Sequence, residues 1–218
     1  MACISAVTFS PNGKLLALAL EDKTVRLQDA SSGAVLEILK GDYSDHVHAI
    51  ALSPSGKLLA SVSTDGMSLI STSTNTIRLW DATSGVVLQT LESHWGWVSA
   101  VAFSPDGKQL ASASASEVVK LWDTGSGAIL QTLETYLDYV RAIAFSPDGK
   151  LLASGSMNTV RLWDASSGAV LRTLEGHWGE VSAIAFSPEN KLLVSQLDNR
   201  RVKVWDAGKG VILQTRAI

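Results

Sequence analysis

The chain has 218 residues, 46% of them apolar and 18% charged, and its 18 basic and 21 acidic side chains leave a net charge of −3. It is long enough for one or two domains with a real core, and too apolar and weakly charged to stay unfolded. Nothing in the charge balance favours nucleic acid as a partner. The single cysteine, Cys3, excludes an internal disulfide framework and fits a reducing compartment, expected to be the cytoplasm.

The start, MACISAVTFS, lacks the basic-then-apolar pattern of a secretory signal. The longest apolar run, Leu15 to Leu20, is far too short for a membrane span and reads as a buried strand.

The predicted elements recur in one order. A short strand comes first: AVTFS, AIALS, AVAFS, AIAFS and AIAFS again. Each ends at a Ser-Pro pair carrying one of the five prolines, Pro11, Pro54, Pro105, Pro147 and Pro188. The turn that follows (PNG, PSG, PDG, PDG, PEN) uses Pro to preset φ and Gly or Asn to enter the left-handed region. A lysine-led run comes next: KLLALAL, KLLASVS, KQLASAS, KLLASGS and KLLVSQL. The third strand is VRLQD, IRLWD, VKLWD, VRLWD or VKVWD, and the fourth starts from GAVLEIL, GVVLQTL, GAILQTL, GAVLRTL or GVILQTR. Four short strands per unit, with turn signals between them, predict an all-β fold. One such unit cannot bury both faces alone, and radial stacking of units solves that problem.

The Trp-Asp pairs Trp80-Asp81, Trp122-Asp123, Trp163-Asp164 and Trp205-Asp206 make these units resemble WD repeats. His94 and His177 stand where that family has its Gly-His. The resemblance covers the whole chain. It implies a β-propeller of five four-stranded blades, at about 1–40, 41–92, 93–134, 135–175 and 176–218, forming a single domain over 1–218. The near-identity of the units, as in WDASSGAVLRTLEGHWGEVSAIAFSP, also resembles the repeat arrays of fungal NACHT-type incompatibility receptors. Family members usually close a ring of more blades. Five blades either close a smaller ring or form an open arc whose terminal faces invite self-association or further blades, and the arc reads as part of a larger array.

The units depart from the family pattern in places. Gln28 replaces the tryptophan in the first unit, so blade 1 is expected to be the weakest. The family's stabilising network joins a His, a Ser/Thr, the Trp and an Asp. Asp22 fills the Asp slot in unit 1, Asn199 in unit 5 and Ser116 in unit 3; Thr74 stands there in unit 2, and unit 4 is one residue shorter, with Met157 near the slot. The His slot holds Tyr43, His94, Tyr136 and His177. No unit carries the full set, which predicts modest stability. Unit 2 carries an insertion, TDGMSLISTST, whose apolar tip is Met67, Leu69 and Ile70; it reads as a surface loop, with partner contact as the other reading.

Catalytic and cofactor signals are missing. No Gly-x-Ser-x-Gly elbow or P-loop occurs. The serine runs repeat in register and so mark second strands. His46 and His48 share a strand face, but two histidines make no closed zinc site. No metal, cofactor or enzymatic activity is expected. Arg200, Arg201 and Lys203 read as a solvated edge, and the Asp of each Trp-Asp pair as a turn former.

The five units can be compared with one another. Ala6, Ala49, Ala100, Ala142 and Ala183 form one near-invariant column, and Phe9, Leu52, Phe103, Phe145 and Phe186 another; both read as packing positions. Two other columns vary widely and lie two residues apart on one strand face. They are Cys3, His46, Trp97, Tyr139, Glu180 and Ser5, His48, Ser99, Arg141, Ser182. No common cavity accepts His, Trp, Tyr and Glu alike, so this slot must be partly exposed. With the preceding loops, the variable residues predict a protein-binding rim of His46, His48, Trp95, Trp97, Asp138, Tyr139, Arg141, Trp178 and Glu180. Trp80, Trp122, Trp163, Trp205, Asp22, His94 and His177 are assigned to structure. The expected function is a non-catalytic recognition module for a protein or peptide, and the resemblance suggests the sensing region of a fungal signalling receptor. The alternative is a constitutive scaffold or adaptor of the mitochondrial-fission type. Such an adaptor would normally carry a coiled coil, and no sustained heptad is present.

Overall fold

The computed structural model describes residues 3–40, 47–63, 74–115, 118–135, 139–198 and 200–217. The insertion tip with Met67, Leu69 and Ile70, and the slot residues Tyr43, Ser116, Tyr136 and Asn199, lie outside these residues. The described residues contain twenty strands and no helix.

Blade 1 comprises β1 (Ile4–Phe9), β2 (Leu15–Leu20), β3 (Thr24–Asp29) and β4 (Val35–Lys40). Blade 2 comprises β5 (Val47–Leu52), β6 (Leu58–Ser63), β7 (Thr74–Asp81) and β8 (Val87–Trp95). Blade 3 comprises β9 (Val98–Phe103), β10 (Gln109–Ser114), β11 (Val118–Asp123) and β12 (Ile129–Glu134). Blade 4 comprises β13 (Ala142–Phe145), β14 (Leu151–Gly155), β15 (Val160–Asp164) and β16 (Val170–Leu174). Blade 5 comprises β17 (Val181–Phe186), β18 (Leu192–Leu197), β19 (Arg201–Asp206) and β20 (Val211–Ala217). Each blade is an antiparallel meander in sequence order.

The turn chemistry explains the shared register. After each first strand the serine hydroxyl accepts the backbone N–H that opens the second strand: Leu15 onto Ser10 at 2.9 Å, Gln109 onto Ser104 at 2.9 Å, Leu151 onto Ser146 at 2.9 Å. Gly13, Gly56, Gly107 and Gly149 close these turns at φ of 67 to 72°, and Asn190 does so at 60° in blade 5. At the end of each third strand the aspartate caps the next turn. Asp81 Oδ1 accepts from the backbone of Thr83 at 2.9 Å and of Ser84 at 2.8 Å. Asp29 and Asp164 do the same, and each also accepts two serine hydroxyls.

The core lies between blades. Four apolar clusters each join one face of a blade to the opposite face of the next. Blade 2, for example, gives Ala60, Val62, Ile77, Leu79 and Leu91, and blade 3 answers with Val98, Leu110 and Trp122. None of the four joins blade 5 to blade 1, so the five sheets form an open arc. Phe9 departs from its expected packing role for this reason. It is 59% exposed, because its face of blade 1 meets no blade. The missing tryptophan of unit 1 therefore leaves no hole: Gln28 stands half-buried on the uncovered face, while Ala17, Ala19, Val25, Leu27 and Leu39 behind it are buried.

Blade spacing leaves no room for a side chain at Gly155, where an added Cβ would sit 2.6 Å from Val181 Cγ1 and 2.7 Å from Ile184 Cδ1 of blade 5. Gly155→Ala should therefore destabilise the protein by about 1–3 kcal/mol through overpacking. Urea denaturation of the purified variant checks this.

Candidate protein-recognition rim

Each first strand starts at one end of its blade and runs to its Ser-Pro turn at the other end. The starting ends of β1, β5, β9, β13 and β17, with the segments before them, build one rim. Trp97 (55% exposed) and Tyr139 (58%) precede β9 and β13, and Trp178 (82%) precedes β17. Glu180 is half-buried and pairs with the exposed Arg141. Large aromatic rings at this exposure, on a frame of buried strands, are the side chains that dominate protein interfaces.

The two variable columns interleave across neighbouring blades. His48 of blade 2 lies against Trp97 beside blade 3, with ring centroids 5.0 Å apart in a T-shape. Arg141 beside blade 4 meets Glu180 beside blade 5. The second column also ties blades together through the backbone. Ser5 donates to the Val47 carbonyl and Ser99 to that of Val140, while His48 Nε2 lies 2.7 Å from the Val98 carbonyl. His48 thus bridges two blades while its ring supports Trp97. His46 and Asp138 fall outside the described residues. Trp95 closes β8 rather than lying in a loop, and its side chain is outside what the structure describes.

Sequence reading missed two rim residues. Met157, 53% exposed in the turn between β14 and β15, forms an isolated bridge with Glu180. Asn158, at φ 70°, donates its N–H to the Gly179 carbonyl at 3.1 Å and accepts from the Gly179 N–H at 2.9 Å. These bonds fix the segment that carries Trp178 and Glu180. The signal was the one-residue shortening of unit 4, which places Asn in a left-handed turn.

Beneath the rim lies a buried polar layer. The indole N–H of Trp80, Trp122, Trp163 and Trp205 donates to Ser61, Ser112, Ser154 and Ser195 at 2.8, 2.8, 2.8 and 3.0 Å. His94 Nε2 reaches Ser112 at 2.7 Å, and His177 Nε2 reaches Ser195 at 2.8 Å. The repeated serines are therefore tryptophan acceptors. Burial pushes the pKa of both histidines down to about 4, with nearby Lys120 or Lys203 adding to the effect; at His177 the Leu174 and Asn158 backbone pulls the other way. Asp22 does not join a His–Ser–Trp set. It is exposed, caps Thr24 and pairs with Arg26 at 3.2 Å. Lys203 corrects the reading of a solvated basic edge: it is buried, lies over the Trp205 ring at 5.7 Å and donates to the Gly176 carbonyl.

No group of three or more His, Cys, Asp or Glu side chains is placed to hold a metal among the described residues. A cavity of about 390 Å³ lies at the far end from the rim, lined in part by Pro105, Asp106, Asp148 and Ser166. Its two carboxylates already accept the Ser104 and Ser146 hydroxyls at 2.6 Å. No described helix is long and apolar enough to cross a membrane.

Comparison with known proteins fits this architecture. The family model "WD domain, G-beta repeat" matches residues 85–123, 127–164 and 168–206, together more than half of the chain. Each match runs from the fourth strand of one blade through the third strand of the next, so the sequence unit is offset from the blade. A second model, the anaphase-promoting complex subunit 4 WD40 domain, matches residues 7–97. An uncharacterized WD repeat-containing protein of Synechocystis, sll1491, is 32% identical over 111 residues, covering 51% of this chain and 29% of that protein. WD repeat and SOCS box-containing protein 1 is 32% identical in Homo sapiens and 36% in Mus musculus, each over 50% of this chain and 24% of the relative. The chain thus spans about a quarter of the length of these relatives. With five four-stranded blades and Trp-Ser pairs in four of them, the chain belongs to the WD40 repeat family.

Proposed function

We propose that the chain is a non-catalytic module that binds a protein or peptide on the rim carrying Trp97, Tyr139, Arg141, Trp178 and Glu180. The observation that carries this reading is the set of three large aromatic side chains left more than half exposed on one rigid edge. WD repeats as a family are interaction scaffolds, which supports the class of function. Affinity would come from burying the rings, and selectivity from Arg141, Glu180 and the half-buried His48. The near-identity of the units supports a setting in the repeat region of a fungal NACHT-type signalling receptor, in the cytoplasm.

Trp97→Ala with Tyr139→Ala tests the reading. Both rings are more than half exposed, so the double variant should keep its denaturation midpoint within about 1 kcal/mol of the parent. Peptides selected on the parent protein should lose at least about a hundredfold in affinity on the variant, as expected when two anchor residues are truncated. Equal binding by the folded variant would refute the rim.

A further inference from the structure

The third strands carry a column of cations, one in each unit: Arg26, Arg78, Lys120, Arg161 and Lys203. Lys203 is buried and the other four are half-buried. In blades 4 and 5 the cation holds the segment that leads into its own blade. Arg161 Nη1 donates to the Thr135 carbonyl, and Lys203 Nζ donates to the Gly176 carbonyl. Thr135 and Gly176 hold the same place, two residues beyond the buried Leu133 and Leu174. Arg26 of blade 1 pairs with Asp22 instead.

Lys203 is the costlier of these two cations to bury. The residue is 8% exposed, and burial lowers its pKa, with Arg201 adding to the effect. Among the described residues no carboxylate forms an ion pair with it. For packing alone, an apolar side chain of similar length would serve at least as well. The charge adds a strong donor aimed at one carbonyl.

That carbonyl begins the segment on which Trp178 stands. Gly176 takes a φ of 99°, which a side chain would resist, and its ideal Cβ position lies 3.7 Å from Lys203 Nζ. His177 comes next. Its Nε2 reaches Ser195 at 2.8 Å, and its ring stacks on Trp205 with centroids 4.9 Å apart. Lys203 Nζ lies 5.7 Å from the centroid of the same indole. On the other side of Trp178, Gly179 is held by its two bonds to Asn158. Trp178, 82% exposed, thus stands on a segment clamped before and after it.

We infer that Lys203 is a positioning residue for the rim: anchored over Trp205, it holds the Gly176 carbonyl and so presents Trp178 as a preformed anchor. The consequence for binding rests on the rim reading. A ring already held in place loses less freedom when a partner covers it, and the complex then releases more slowly.

Backbone 15N relaxation of the purified chain tests the positioning without any partner. In the parent, His177, Trp178 and Gly179 should show order parameters of about 0.85, as in rigid backbone. Lys203→Met keeps an unbranched stem of similar length and removes the donor. In that variant the three residues should fall below about 0.6, while Tyr139 and Val140 keep their parent values. Arg161→Met should leave residues 177–179 as they are in the parent. Full order at Trp178 in Lys203→Met would overturn the proposal. So would equal loosening of both segments, the same loosening of 177–179 by Arg161→Met, or a Lys203→Met chain that does not fold. Rim peptides that depend on Trp178 should weaken about tenfold on Lys203→Met, the cost of ordering one large side chain. Lost order with unchanged peptide binding would leave the positioning standing and count against Trp178 as part of the rim.

Discussion

Trp122→Ala is expected to lower stability by about 4 kcal/mol, within the usual range for losing a buried tryptophan. Trp122 is 2% exposed and packs with Leu110 and Val98 against Ala60, Val62, Ile77 and Leu79 of blade 2. Its N–H also donates to Ser112, which is shared with His94. Removing the ring opens a cavity between blades and withdraws a donor from a buried hydroxyl. Trp122→Phe separates the two effects. It keeps most of the ring and loses only the hydrogen bond, at about 1–2 kcal/mol. Urea midpoints of the parent and both variants give the order. Equal costs for Phe and Ala would mean that packing contributes little at this site.

The second large effect is a loss of stability in mild acid. His94 and His177 titrate near 4 in the folded chain, because burial disfavours the imidazolium and Lys120 or Lys203 repels it. In the unfolded chain they titrate near 6.5, so the unfolded state binds more protons between those values. Stability is then fully present above pH about 6.5 and falls as the pH drops towards 4, by at most about 3 kcal/mol for each histidine. Two such losses are comparable to the whole stability of a small domain.

The aspartates act in a lower window. Asp81, Asp106, Asp123 and Asp148 are held below the usual carboxylate range, chiefly by hydrogen bonds from their turns, and Asp164 is lowered to about 2. Their contribution is lost only as the pH falls below about 4. Denaturation midpoints between pH 7.5 and 4.5 should slope downward in the parent. The slope should flatten when both histidines are replaced by glutamine. An unchanged slope in that variant would place the titration elsewhere.

The blades were legible because their signals are local. Ser-Pro-x-Gly turns, apolar periodicity and Trp-Asp ends lie within a few residues of the strands they define, and the strands stand where these signals put them. The partners of the strands were harder to read. The bonds from Ser5 to Val47 and from His48 to Val98 span 42 and 50 residues, and depend on how one blade rotates against the next. Nothing local distinguishes Lys203, tucked over Trp205, from an exposed lysine on an edge. The exposure of Trp97 and Tyr139 was legible for another reason. Five copies of one unit act as an internal comparison, and a slot that accepts His, Trp, Tyr and Glu cannot be a shared cavity.

Recognition through the rim is tested most directly by a random-peptide display selection on the immobilised chain, with every enriched clone re-measured on two variants. Rim binding predicts clones whose binding is lost with Trp97→Ala and Tyr139→Ala together, and retained with Val7→Lys at an exposed position of β1. Clones that bind the rim variant as tightly as the parent, or a selection that enriches nothing on the folded protein, would contradict it.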